Sequence, residues 1–184
     1  MPRLVAFLRA INVGGHTVTM DALRRLFTGL ELDDVETFIA SGNVIFSSRA
    51  RDTGALERRI ERRLGESLGY EVRTFLRTLP EVAAIAAHAP FTRPRVEAAG
   101  AFCVGFVAEP LSASATKAVL ALRTGIDDFQ VHGREVYWLC TMRQSESKFS
   151  NVVFEKAAQA RVTFRGANTV ARLAAKYAGS SSSR

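Results

Sequence analysis

Strand and helix signals run through one cycle in residues 4–88 and through the same cycle again in residues 101–178. This doubling constrains the fold more than any single motif does. In the first cycle Leu4–Ile11 reads as a buried strand, apolar on both faces except at Arg9. Thr19 caps a helix whose Met20, Leu23, Leu26, Phe27 and Leu30 fall at helical spacing. Val35–Ala40 and Asn43–Ser47 read as a hairpin around Ser41-Gly42. Asp52 or Thr53 opens a second helix on the stripe Leu56, Ile60 and Leu64, and Val72–Arg77 reads as a fourth strand. Thr78 and Glu81 form a capping box for a further helix that reaches about His88.

Ala89–Gly100 carries Pro90 and Pro94 and reads as a linker. A strand follows at Ala101–Val107, then a helix opened by Ser112 or Ser114. Phe129–Val131 and Glu135–Thr141 flank a turn at His132-Gly133-Arg134. A helix at Lys148–Ala160, a short strand at Arg161–Arg165 and a last helix at Asn168–Tyr177 complete the cycle. The order βαββαβ plus a helix, met twice, predicts an α+β fold of two tandem ferredoxin-like lobes. They occupy residues 1–88 and 101–178, joined by a linker at 89–100, with a disordered tail at 179–184. Each half alone is a marginal domain, so the lobes are expected to pack together.

A chain of 184 residues with 47% hydrophobic content can bury a core without disulfides or metals. Cys103 and Cys140 lie in apolar strand-like runs without CxxC spacing, and His16, His88 and His132 are far apart. The expectation is two buried free thiols in a reducing compartment, no metal and no cofactor. No apolar run reaches the roughly 18 residues of a membrane span, so the chain reads as cytoplasmic with no membrane partner. Net charge is +7, and Lys stands at only four positions, so Arg supplies 21 of the 25 basic residues. Arg favours forked contacts with phosphate or carboxylate, although GC-rich coding produces the same bias. An anionic small molecule or nucleic acid is the partner class this permits.

Three stretches could carry chemistry. In Phe7–Gly15 a strand ends at Arg9, Asn12, Gly14 and Gly15, just before a helix. Glycine amides and a helix N-terminus can wrap an anion that Arg9 clamps, or the glycines can serve only a strand-to-helix turn. Ser41-Gly42-Asn43 places a serine in a tight turn, but GxSxG is absent and a hairpin explains it. With the first and third strands read as parallel, this turn and the Gly14-Gly15 loop are expected at opposite ends of the sheet. The third stretch joins Thr163 and Arg165 to Asn168 and Thr169, with Asn168 as a helix cap. The Arg-rich helix Leu56–Leu64 is interleaved with Glu57, Glu61 and Glu66, which reads as a solvated face. Phe102, Phe106, Tyr137 and Trp138 could stack bases, but the RNP pattern is missing and core packing accounts for them.

Taken together, Phe7–Gly15, Ser41-Gly42-Asn43-Val44-Ile45-Phe46, Pro90-Phe91 and Thr163–Val170 resemble the uncharacterised bacterial domain-of-unknown-function family 1697 (DUF1697). The resemblance covers nearly the whole chain. Arg9, Ile11 to Gly15 and Ser41 to Val44 match its patterns, as do Thr163, Arg165, Asn168, Thr169 and Val170, while Gly166 and Ala167 replace an Asn and a Trp. The resemblance implies a two-lobed α+β protein and no established activity. The residues favour a binding protein for an anionic ligand, a nucleotide or RNA phosphate. The alternatives are an enzyme on a small polar substrate in an inter-lobe cleft, using Arg165, Asn168 and Ser41 or Asn43, and a self-associating protein with a free edge strand. The chain is read as a monomer or homodimer.

Overall fold

Side-chain caps set where four helices begin. Thr19 Oγ1 accepts from the Ala22 amide, Asp52 Oδ1 from Ala55, Ser112 Oγ from Ala115 and Ser150 Oγ from Val153, all at 2.9–3.3 Å. Thr78 and Glu81 exchange the two bonds of a capping box, at 2.7 and 3.2 Å. The computed structural model describes residues 1–12, 14–39 and 42–177. Ser41 and the tail drawn at 179–184 lie outside the described residues.

The elements run β1 (Arg3–Leu8), α1 (Met20–Thr28), β2 (Asp33–Thr37), β3 (Asn43–Ser47), α2 (Thr53–Leu68), β4 (Thr74–Thr78), α3 (Leu79–Ala87) and α4 (Arg93–Ala98). They continue with β5 (Ala101–Phe106), α5 (Ala113–Leu120), β6 (Asp127–His132), β7 (Glu135–Cys140), α6 (Asn151–Ala158), β8 (Thr163–Gly166) and α7 (Ala167–Tyr177). Among the described residues this is a mixed α+β fold of seven α-helices and two four-stranded antiparallel sheets, ordered β2-β3-β1-β4 and β6-β7-β5-β8. The chain divides into two compact units. One is Met1–Val82 with the stretch from Tyr177, and the other is Ala83–Lys176.

In the first unit one sheet face carries Leu4, Ala6, Leu8, Val44, Phe46 and Leu76 against Leu23, Phe27, Leu56, Ile60 and Leu64 of α1 and α2. Each fully buried Leu, Ile or Phe contributes about 1.5–3 kcal/mol. The other sheet face holds Val5, Phe7, Ile45 and Phe75, each at most 2% exposed. Such two-sided burial explains why β1 reads as a continuous apolar run.

The direction of β3 corrects the expected placement of the two loop motifs. β1 pairs with β3 antiparallel, Phe7 opposite Asn43, and the Leu8 amide donates to the Gly42 carbonyl at 2.8 Å. The helical crossover α1 returns the chain to run β2 alongside β1 in direction, and the hairpin then reverses β3. The end of β1 and the β2–β3 turn therefore meet at one end of the sheet, not at opposite ends. β1 also stops at Leu8 rather than running to Ile11, because Ala10 takes φ +61° and turns the chain. β2 begins earlier than its apolar pattern, at Asp33. It is an edge strand with an irregularity between Asp33 and Glu36, and Asp34 at φ +50°.

β4 is the other edge of this sheet, and its outward amides are closed by three glutamates. Thr74, Leu76 and Thr78 donate to Glu61, Glu57 and Glu81 at 2.9, 2.8 and 2.7 Å. The second unit has a similar contact at the residue before β8. Glu155 accepts the Val162 amide at 3.1 Å and Arg161 at 3.2 Å, as Glu61 accepts Thr74 and Arg73. Covered edges resist pairing with another chain. Removing two charged acceptors costs about 1.5–3 kcal/mol each. Glu57→Ala with Glu61→Ala is accordingly expected to lower the urea midpoint and to shift sedimentation toward larger species than the wild type forms.

The second unit is built on aromatic packing. Trp138 meets Phe149 at 4.8 Å and Phe164 at 6.3 Å between ring centres, and Phe149 meets Phe129 at 4.8 Å. Trp138, Tyr137 and Phe106 are at most 2% exposed, so they form core and no base-stacking platform. The stretch read as the end of the first lobe and a linker makes its contacts here. His88 packs on Tyr137, Phe91 on Phe102, and Arg95 bonds Asp128 at 2.9 Å. Residues 93–98 of it form α4. No helix among the described residues is long and apolar enough to cross a membrane.

Candidate functional site

Four contacts hold the loop that leaves β1. The Arg9 amide donates to the Arg73 carbonyl at 2.8 Å, and the Tyr70 hydroxyl donates to the Ile11 carbonyl at 2.9 Å. Asn12 Oδ1 accepts from the Val18 amide at 2.9 Å, spanning the loop from within. The His16 ring stacks on Tyr70 at 4.0 Å. Burial raises the Tyr70 hydroxyl above its ordinary pKa, so it remains a donor. Tyr70 and Arg73 were not among the residues singled out in the sequence. Their signal is Gly69, which ends α2 at φ +80° and sends the chain back past the loop.

Within this frame Gly14 and Gly15 are exposed, at φ +62° and +83°, in the region where only glycine is unstrained. Nothing lies within 4 Å of where a Gly15 side chain would begin, so the loop tip faces open space. Arg9 is half-buried beside it in the chain. Gly42 receives Leu8 at the same end of the sheet. Asn43 is 2% exposed, and its Nδ2 donates to the carbonyls of Phe38 and Ile39 at 3.0 and 3.2 Å. That amide closes the turn, where Ile39 sits at φ +42°. Asn43 is thereby a structural staple of the same loop cluster.

The third stretch separates. Arg165 lies in β8 opposite Val104, and its Nη1 donates to Thr163 Oγ1 at 2.8 Å and to the Phe164 carbonyl at 3.0 Å. Burial lowers its guanidinium to about 10, still cationic at neutral pH. Asn168 is no helix cap. β8 runs directly into α7 at Ala167, so Asn168 is an exposed residue inside the first turn, followed by half-buried Thr169. Arg77 of β4, missed in the sequence, is the first unit's counterpart of Arg165. It lies opposite Val5, 1% exposed, and donates Nη1 to the preceding Leu76 carbonyl at 2.8 Å.

The second unit holds a cluster of its own in His88, His132, Glu135 and Tyr137. The two imidazoles stack at 4.1 Å, and Glu135 is 7% exposed. Burial first, then the neighbouring His132, holds His88 below the ordinary 6.5, with Glu135 opposing. Tyr137 is raised, by burial first and then by Glu135. A histidine whose native pKa is depressed binds protons less readily than in the unfolded chain. Stability is therefore present above 6.5 and is lost as pH falls through that value. Urea midpoints are expected to fall between about pH 7.5 and 5.5, and His88→Gln to flatten that slope. Cys103 and Cys140 are free and buried, and burial lifts Cys103 to about 11, which makes it unreactive. Among the described residues no group of three His, Cys, Asp or Glu side chains could hold a metal ion.

The family model described as "Protein of unknown function (DUF1697)" matches residues 1–137. No curated protein matches the chain. Among solved structures it is similar to a conserved bacterial protein from Streptococcus pneumoniae, at 23% identity and a TM-score of 0.71. That match covers 96% of this chain and 98% of the other. At that identity the likeness is one of fold. With its first 137 residues matched, the chain belongs to the DUF1697 family of proteins of unknown function.

Proposed function

We propose that the chain is a cytoplasmic binding protein made of two ferredoxin-like lobes, and that the first lobe holds an anionic ligand at the Arg9–Gly15 loop. The ligand class is a nucleotide or an RNA phosphate. The observation that carries this reading is a loop fixed on its inner side and open at its tip. Arg73, Tyr70, Val18 and His16 hold it in place, while Gly14 and Gly15 turn at positive φ, Gly15 in open space and Gly14 beside the His16 ring. Successive backbone amides in a glycine turn can converge on an anion, and a loop already ordered loses less entropy on binding. Arg9 supplies the charge. Gly42 and Asn43 shape the neighbouring turn, and the two buried free thiols fit a reducing compartment.

A thermal-shift screen against mononucleotides and inorganic anions tests the reading. A charged hydrogen bond is worth about 1.5–3 kcal/mol, so Arg9→Ala is expected to weaken any hit about 10- to 100-fold. Unchanged affinity in Arg9→Ala would place the ligand elsewhere.

A further inference from the structure

The interleaved glutamates of α2 do not neutralise its arginines. Glu57 and Glu61 turn away to the edge amides of β4, and the second oxygen of Glu61 is taken by Arg73. Arg58, Arg59, Arg62 and Arg63 are left exposed in two rows, each with a step of about 6 Å from the helical rise. Arg24 and Arg25 of α1 continue the same surface. Arg59 donates to the Leu30 carbonyl at 2.7 Å, and Arg63 Nη2 comes within 3.7 Å of where a Gly29 side chain would begin. A shallow depression of about 430 Å³, lined by Asp21, Arg24, Arg25, Thr28 and Gly29, lies on this face. The carboxylates that remain are Asp21, paired with Arg24, Glu31, 3.8 Å from Arg59, exposed Glu66, and the cap Asp52, which shares the neighbourhood of Gly54 with Arg58. Arg25, Arg58, Arg62 and Arg63 form no ion pair among the described residues.

We propose that the outer face of α1 and α2 docks the phosphate backbone of a nucleic-acid duplex without reading its sequence. Six guanidiniums on one face match a polyphosphate. The exposed residues of the two helices include no aromatic side chain, so unstacked bases find no platform. They also lack an apolar ridge that would enter a bilayer, Met20 being the one large apolar side chain among them that is exposed. This surface is independent of the loop assigned above.

The test is fluorescence anisotropy with a labelled duplex of about 20 base pairs, titrated from about 50 to 200 mM salt. Arg25→Gln, Arg58→Gln, Arg62→Gln and Arg63→Gln combined should weaken binding and lower the log–log salt slope by about three to four. A variant of equal net charge, with Arg93, Arg143, Lys148 and Arg172 changed to Gln, should bind as the wild type does. The matching four-fold Arg→Lys variant should keep the affinity and the slope, with circular dichroism melts confirming the fold of each. The proposal is overturned if the wild type fails to bind at low salt, or if both Gln variants weaken equally. Tighter binding of single strands, polyglutamate or anionic vesicles than of duplex also overturns it.

Discussion

Gly100→Ala is expected to destabilise the second unit by about 3 kcal/mol or more, the upper end of overpacking costs. The reason is space, not backbone conformation. A Cβ at this position would overlap the carbonyl carbon and oxygen of Met142 and lie 2.9 Å from the Arg143 nitrogen. These are backbone atoms of the chain leaving β7, and the Gly100 amide is itself bonded to the Cys140 carbonyl at 2.9 Å. Neither side can retreat without breaking the start of the β5–β7 ladder. For a chain of this length the melting temperature should fall by about 6–12 °C. Gly125→Ala is the matched control. Nothing lies within 4 Å of its would-be Cβ, so its effect should stay within about 0.5 kcal/mol.

Asp127→Ala should cost about 2–3 kcal/mol, chiefly through the buried indole N–H left without a partner. The carboxylate is 5% exposed. Its Oδ1 accepts from Trp138 Nε1 at 2.9 Å and from Ser147 Oγ at 2.8 Å, and its Oδ2 accepts from Thr124 Oγ1 at 2.9 Å. It thus ties β6 and β7 to the loop that leads to α6. Alanine strands the buried indole N–H, while the half-buried Ser147 hydroxyl and the exposed Thr124 hydroxyl lose their acceptor. Asp127→Asn keeps the Oδ1 acceptor and should lose about half as much. Trp138 is the one tryptophan of the chain, so urea unfolding followed by its fluorescence reads this site directly. An unchanged midpoint in Asp127→Ala would remove the carboxylate from the core's support.

Much of this architecture is legible in the amino-acid order, because apolar period and capping residues are local. Thr19, and Thr78 with Glu81, act as caps where their spacing places them, and of the two serines left open it is Ser112 that caps α5. What is not legible depends on partners distant in sequence. The left-handed turn at Ala10 ends β1 inside an apolar run, and alanine gives no sign of it. Strand direction followed from the hairpin and crossover together. Reading it wrongly split two motifs that the antiparallel β1–β3 pairing brings to one end. Glu61 stands three residues after Arg58, at salt-bridge spacing on α2, yet the edge of β4 claims both it and Glu57. Asn43 looks like any turn residue until the carbonyls it closes are seen. Asn168 looks like a cap only if the strand before it is assumed to end in a loop.

The central proposal is that Arg9, Gly14 and Gly15 hold an anion. Backbone amide NMR during a titration with inorganic phosphate and then a mononucleotide tests it most directly. Saturable shifts concentrated at the Gly14 and Gly15 amides, abolished in Arg9→Ala, are expected. Shifts absent from those two glycines, or persisting unchanged without the Arg9 guanidinium, would contradict it.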